Sequence, residues 1–379
     1  MGRPAPLLPR FQDKAAAMFQ RLKLIYQVLA GKFKVRVAPL FLIWGYLGLR
    51  VSVWFFMSLD NLFFPKLANT RVVKPIIIVG NPRTGTTFLQ RWLVDNGFGV
   101  GQHLYRSLYP SILLQKLIRP FLPVMERFSP ARFHNTAAHD TNLGSIETDD
   151  VTAFFRYLDG FFLYGFILAW HDDDLKPLVD PKLRDTSVRD FDWFEAVWRR
   201  NLVAQGGTRQ IAKLFSTGPR TPAFLARFPD AHILYMVRDP LEVIPSTFSL
   251  VTGVLDKAFD YWKLPAALRD RYNARLYLAC VDLFRYFHED WTSGRIDKSR
   301  VMVVSYDRMM KDFDGLMAEM AVFFDMKPTP EQMAAIKKTA DEQRAYESKH
   351  KYKLEKYGLD ADRIRRDCAF VYDTWLPRA

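Results

Sequence analysis

Arg83 stands in a short segment between two glycines, Gly80 and Gly85, with Thr84, Thr86 and Thr87 around it. Ile76, Ile77, Ile78 and Val79 precede the segment and read as a buried strand. Phe88, Leu89, Trp92 and Leu93 follow it at helical spacing. A strand, a glycine turn and a helix N-terminus direct several backbone N–H groups at one point, which makes a cradle for a phosphate or sulfate ester. The glycine spacing matches an ATP-binding P-loop, yet Thr86 stands where that motif has Lys. Without that Lys an NTPase loses its main contact to the β- and γ-phosphates. The loop therefore suits a different phosphate ester, with Arg83 as its cation. Read alone, the same residues also fit an ordinary glycine turn of an α/β sheet.

A second apolar run, residues 232–237, ends at Arg238-Asp239-Pro240, and a helix follows from about Leu241. C-terminal strand ends are where open α/β sheets bind ligands. Ser246 lies eight residues beyond Arg238, on the first turns of that helix. A guanidinium fork with a hydroxyl can hold and orient a phosphate monoester. The competing role for Arg238 is a salt bridge to Asp239 or Glu242, with Ser246 merely hydrated.

Together the two segments resemble the sulfotransferases that use 3′-phosphoadenosine 5′-phosphosulfate (PAPS), in the broad bacterial and Golgi-type subgroup. Pro82-Arg83-Thr84-Gly85-Thr86-Thr87 is similar to the family's first motif, which implies that Arg83, Thr84, Gly85, Thr86 and Thr87 hold the 5′-phosphosulfate. The spacing of Arg238 and Ser246 is similar to its second motif, which implies contact with the 3′-phosphate. Ile211-Ala212-Lys213, followed by Phe228-Pro229-Asp230-Ala231, resembles the family's strand carrying a Lys and its approach to the second motif. Val303-Val304-Ser305-Tyr306-Asp307 resembles its strand ending in Tyr and a carboxylate, adding Tyr306 to the nucleotide site. These four ordered matches fall between residues 71 and 360. They imply an α/β fold: a doubly wound, mainly parallel sheet with a P-loop-like phosphosulfate-binding loop, flanked by helices, over residues 71–379. Residues 1–70 form a separate basic and hydrophobic helical segment.

Sulfuryl transfer, like phosphoryl transfer, asks chiefly for positioning and for stabilisation of charge on the leaving group. Arg83 can supply that charge, and the resemblance places Lys213 near the sulfuryl group. No metal is needed, and the run Asp172-Asp173-Asp174 reads as a solvated loop. The catalytic base departs from both familiar family patterns. Phe215 stands where cytosolic relatives carry a His, and residues 101–106 contain no carboxylate where others carry a Glu. His103 lies in that window and has the intrinsic pKa for the task. Glu147 is the second candidate, with His139 and Asp149 beside it. Glu147-Thr148-Asp149-Asp150 resembles an acidic stretch of one sulfotransferase subgroup, without revealing its role. A basic segment at residues 350–355 reads either as a cap over the nucleotide or as a solvated helix start.

The chain of 379 residues has a net charge of +13, very unevenly spread. The first 74 residues hold 12 Lys and Arg against two Asp; the rest hold 42 basic and 39 acidic residues. Such asymmetry implies an anionic partner for the N-terminus. Phe11, Ala15, Met18, Phe19, Leu22, Ile25 and Leu29 recur at helical spacing among basic residues, as in a helix lying on an anionic membrane through residues 1–59. Residues 37–59 are apolar enough to span, but Arg50 falls near their middle and Pro39, Gly45 and Gly48 weaken the helix. An in-plane or re-entrant anchor, a helix packed on the domain and a true span all remain open; a cleaved signal is not expected. If the segment spans, the basic end stays cytoplasmic. The expected location is a membrane, at its cytoplasmic face, or the Golgi membrane if the chain is eukaryotic and spans. Cys280 and Cys368 form no metal or redox motif and favour a reducing compartment. The aromatic-rich stretch from 100 to 200 supplies core packing and, in part, an acceptor pocket.

The expected reaction moves a sulfuryl group from PAPS to a hydroxyl or amine of a lipid, sterol or glycolipid. The alternatives are a carbohydrate acceptor, a P-loop kinase, or an inactive membrane-bound nucleotide-binding protein. Nucleic acid is not an expected partner, since the catalytic region is nearly neutral.

Overall fold

The apolar runs around the two motifs become the inner strands of one parallel sheet. In the computed structural model, which describes residues 7–128, 141–345 and 354–376, the strands are β1 (Ile76–Gly80), β2 (Ile211–Lys213), β3 (His232–Val237) and β4 (Val301–Ser305). Their order is β2-β1-β3-β4, and every pairing is parallel. Ile78 pairs with Lys213 on one side and with Leu234 on the other. Strands buried on both faces need unbroken apolar runs, and these supply them.

Alternate side chains feed two cores. Ile77, Val79, Ala212, Ile233, Tyr235 and Val237 point into one; Ile76, Ile78, Ile211, Leu234 and Met236 point into the other. Eight longer helices flank the sheet: α1 (Leu7–Gly31), α2 (Ala38–Phe63), α3 (Thr86–Asp95), α4 (Ser187–Gln205), α5 (Pro240–Phe259), α6 (Ala266–Thr292), α7 (Phe313–Phe323) and α8 (Pro330–Arg344). α4, α5 and α6 cover the first core through Trp198, Phe248 and Phe284; α3, α7 and α8 cover the second through Leu89, Met320 and Ile336. The α/β reading, with a parallel sheet wound on both faces, is therefore met. The chain moves from β1 outward to β2, but from β3 outward to β4. The divergence opens a crevice at the C-terminal ends of β1 and β3.

The N-terminal helices are tied to this body. Leu22, Val28 and Leu29 of α1 are buried, and Val28 belongs to the main core. Arg21 is buried against Asp159 at 3.4 Å, and Lys32 pairs with Asp172 at 2.6 Å. Two of the basic residues expected to face an anionic surface thus face carboxylates of the protein itself. The Asp run is exposed, as a solvated loop should be, and is also tethered: Asp172 takes Lys32 and Arg271, and Asp174 accepts the Tyr164 hydroxyl.

Asp60, near the end of α2, is 0% exposed. It accepts from Ser111 Oγ, from the Ile112 and Leu113 backbone N–H groups and from Arg200 Nε, each at 3.0 Å. Val53 packs on Leu114, Trp193 and Val197. Arg50, which looked costly in an apolar segment, donates to the Tyr46 hydroxyl at 2.9 Å and to the Arg156 carbonyl. The opposite side of α2 is bare, with Phe41 and Trp44 each 74% exposed. Among the described residues, α2 is the one helix long and apolar enough to cross a membrane, with a mean hydropathy of 1.6 over its most apolar stretch. Cys280 and Cys368 are buried and unbridged. His139 and residues 350–353 lie outside the described residues.

Removing one partner of a buried, hydrogen-bonded ion pair leaves an uncompensated charge. Asp60→Ala should therefore lower the unfolding free energy by about 3–5 kcal/mol in denaturant titrations. A loss under about 1 kcal/mol would show that α2 is not held through this pair.

Candidate active site

Two glycines permit the first loop. Gly80 has φ 140°, and a Cβ there would lie 2.5 Å from the Met236 carbonyl oxygen of β3. Gly85 has φ 88°, and its Cβ would meet Met309 Cε at 2.7 Å and Tyr306 Cδ2 at 3.0 Å. Arg83 also adopts a positive φ, 75°, a strained conformation for a residue with a side chain. The loop is pinned beneath: Thr84 Oγ1 donates to the Asn81 carbonyl and Asn81 Nδ2 to the Cys280 carbonyl, both at 2.8 Å.

The glycine loop and the Arg238 to Ser246 segment meet. Arg83 Nε donates to Ser246 Oγ at 3.0 Å, and Arg238 Nη1 donates to the Arg83 carbonyl at 3.3 Å. The Arg238 guanidinium lies 4.0 Å from the centre of the Tyr306 ring. It also pairs with Glu242, Nε to Oε2 at 2.7 Å, so that competing contact does form. Asp239 does not take Arg238. Its carboxylate caps α5 at the Leu241 N–H and accepts the Tyr372 hydroxyl at 2.6 Å.

A second cluster sits one strand away. Lys213, at the end of β2, donates from Nζ to Thr87 Oγ1 at 2.8 Å and lies 3.8 Å from Glu147 Oε2. Burial pushes its ammonium pKa down, while Glu147 acts to raise it. Glu147 Oε1 accepts from Arg91 Nη2 at 2.7 Å and from Thr141 Oγ1 and Ser145 Oγ at 3.3 Å. Sequence reasoning missed Arg91, although it stands four residues beyond Thr87 on the same face of α3.

The acidic stretch divides its work. Only Glu147 joins the Lys213 cluster by its side chain. Asp149 is buried, accepting from Trp198 Nε1 at 2.8 Å and from the Lys213 N–H at 3.1 Å. Burial pushes its carboxyl up to about 7. Thr148 Oγ1 donates to the Lys213 carbonyl at 2.9 Å, and Asp150 accepts the Phe215 N–H at 2.6 Å. Residues 148–150 therefore clasp the chain as it leaves β2. No sequence signal distinguishes the three acidic residues.

His103 approaches by its backbone, in an antiparallel bridge to Ile146. Its ring lies 6.1 Å from that of Tyr105, and its Nδ1 is buried without a partner among the described residues. Burial and, secondarily, Arg106 lower its pKa, which keeps the ring neutral at pH 7. Its side chain makes no hydrogen bond or ion pair to Lys213, Thr87 or Glu147.

The parallel sheet with its pinned glycine loop is the fold of the sulfotransferases. The chain belongs to the sulfotransferase family, whose model matches residues 75–331. It is 26% identical over 263 residues to the omega-hydroxy-beta-dihydromenaquinone-9 sulfotransferases Stf3 of Mycobacterium bovis and of Mycobacterium tuberculosis. The match covers 67% of this chain and 63% of the length of those curated relatives. Among solved structures, the sulfotransferase STF1 of Mycobacterium tuberculosis H37Rv is similar with a TM-score of 0.67 at 18% identity, over 94% of this chain and 93% of that one. STF9 of Mycobacterium avium is similar with a TM-score of 0.64 at 18% identity, over 84% and 81%. At that identity the likeness extends to the fold.

Two tests follow from the geometry. Gly85→Ala forces a side chain into a left-handed backbone and should cost about 1–3 kcal/mol of stability in thermal or denaturant unfolding; an unchanged midpoint would refute the strain. Because its folded pKa is raised, Asp149 favours the fold below the unfolded value near 4, and that contribution is lost as pH rises through about 7. Stability of the native chain relative to Asp149→Asn should accordingly fall between about pH 4 and pH 8. A difference independent of pH would contradict the raised pKa.

Proposed function

We propose that the protein transfers a sulfuryl group from PAPS to a hydroxyl of an apolar, lipid-like acceptor. The observation that carries this reading is the convergence of two cationic clusters at the C-terminal ends of adjacent strands, Arg83 with Arg238 and Ser246, and Lys213 with Thr87. Arg83, the loop N–H groups and the hydroxyls of Thr84, Thr86 and Thr87 hold the phosphosulfate, with Gly85 giving close approach. Arg238 and Ser246 hold the 3′-phosphate, and Tyr306 backs the Arg238 guanidinium. Lys213 and Arg83 stabilise the charge that develops on the oxygens of the leaving group. These groups meet the electrostatic demand without a metal.

Glu147 is the base. Its carboxylate lies beside Lys213, where an acceptor hydroxyl must come to attack in line. His103 is neutral but held away by its backbone pairing, and Asp149 is enclosed by its structural bonds. A pocket opens next to Phe215, whose ring is 5.7 Å from Lys213 Nζ. Phe161, Phe162, Val179, Leu283 and Tyr286 give it apolar walls, and charged residues, among them Asp159, Asp190, Arg189 and Arg220, stand around them. The aromatic part of these walls suits an apolar acceptor, in line with the menaquinone derivative in the names of the mycobacterial relatives. The bare side of α2 supports association with the cytoplasmic face of a membrane, where such acceptors reside. Against a kinase stands Thr86 in place of the P-loop Lys.

3′-Phosphoadenosine 5′-phosphate at a hundredfold excess over its Kd should stabilise the protein by about 2.7 kcal/mol in thermal shift. Arg238→Ala should abolish that shift, and ATP with Mg²⁺ should not reproduce it. A response to ATP alone would replace the sulfotransferase by a kinase. Glu147→Gln should retain the shift yet reduce turnover by about 10²–10⁴-fold, against little change for His103→Ala. The reverse pattern would move the base to the histidine.

A further inference from the structure

A cavity of about 430 Å³, lined by none of the residues of the Lys213 cluster, lies between the end of α2, the helices Leu104–Leu108 and Ile112–Ile118, and the C-terminal part of α4. Four cations line it: Lys66, Arg106, Lys116 and Arg119. No carboxylate lines it among the described residues, and none there forms an ion pair with any of the four. This is unusual in a chain whose Lys and Arg side chains are so often paired with acids. Arg106 Nε is anchored on the Tyr105 hydroxyl at 2.9 Å, but its Nη1 is buried without a hydrogen-bond partner. Lys116 Nζ sits 5.0 Å from the centre of the Phe64 ring. Lys66, Lys116 and Arg119 are exposed while Arg106 is half-buried, so the cavity carries a positive charge that no neighbouring acid offsets, and a guanidinium beside ammonium groups suits a phosphate.

The surroundings indicate which phosphate. Phe63 lines the cavity and is 60% exposed; Leu62, Leu117 and Phe121 are exposed nearby in the chain. Leu62 and Phe63 end the exposed apolar series that Phe41, Trp44, Trp54 and Phe55 form along α2. A soluble phosphate has no use for such a margin. A phospholipid does, because its headgroup phosphate can enter the cavity while its acyl chains lie against the apolar side.

We propose that this cavity binds the headgroup phosphate of an anionic phospholipid and so sets the orientation of the catalytic domain on the bilayer, an inference that rests on the membrane reading above. The full chain is mixed with neutral phosphatidylcholine vesicles and with vesicles containing phosphatidylglycerol, and bound protein is read by flotation. The native protein should prefer the anionic vesicles, and the double variant Arg106→Gln, Lys116→Gln should bind them about thirtyfold more weakly. Its nucleotide-induced thermal shift should be intact, which establishes that it folds. Equal binding of the folded variant and the native chain to anionic vesicles overturns the cavity while leaving the membrane reading. Absence of binding to either vesicle overturns both. In that case a thermal shift with inorganic phosphate, lost in the double variant, would mark the site as one for free phosphate rather than lipid.

Discussion

The buried ammonium of Lys213 is the constraint around which the rest of the site is arranged. A charged lysine can be kept in a protein interior only if its hydrogens and its field are met. Thr87 meets it from the helix after the glycine loop, and Glu147 from the segment ahead of the clasp. Those contacts bind β2, α3 and the 141–150 region into one unit. The clasp of residues 148–150 then fixes the backbone on which the lysine stands. Because β1 lies between β2 and β3, the same arrangement sets the distance from this cation to the Arg83 and Arg238 pair.

Much of this was legible in the residues. β1 and β3 are apolar runs closed by Gly80 and by Asp239-Pro240, so they follow from local composition, whereas β2 and β4 were legible only through the family resemblance. The glycine loop and the Arg238 to Ser246 spacing were readable because each lies within one short stretch of chain at the offsets of a family motif. The proposed base could not be singled out, because its selection depends on contact between residues far apart in sequence. Glu147 and Lys213 are 66 positions apart, and nothing local to either marks the other. The Asp149 carboxyl, two residues from Glu147, is indistinguishable from it until Trp198 is packed alongside.

The N-terminus shows the limit of reading charge. An excess of Lys and Arg announces anions nearby without saying whose. Arg21 finds Asp159, and Lys32 finds Asp172, within the same chain. In α2 the composition was equally two-sided. Arg50 and Asp60 look like interruptions of an apolar segment, yet they are the points at which the helix is bonded to the domain. The apolar residues between them are left largely uncovered.

The contact between Arg238 and Glu242 has a consequence for how the nucleotide site fills. The guanidinium is not waiting bare; it is stacked on Tyr306 and already carries a counter-ion from the next turn of α5. In the proposed site an arriving phosphate would therefore exchange places with the half-exposed Glu242 carboxylate. The net charge of the pocket changes less on loading than a count of its arginines suggests. Such a swap tempers long-range pull on stray anions, and makes discrimination depend on whether the newcomer also reaches Ser246.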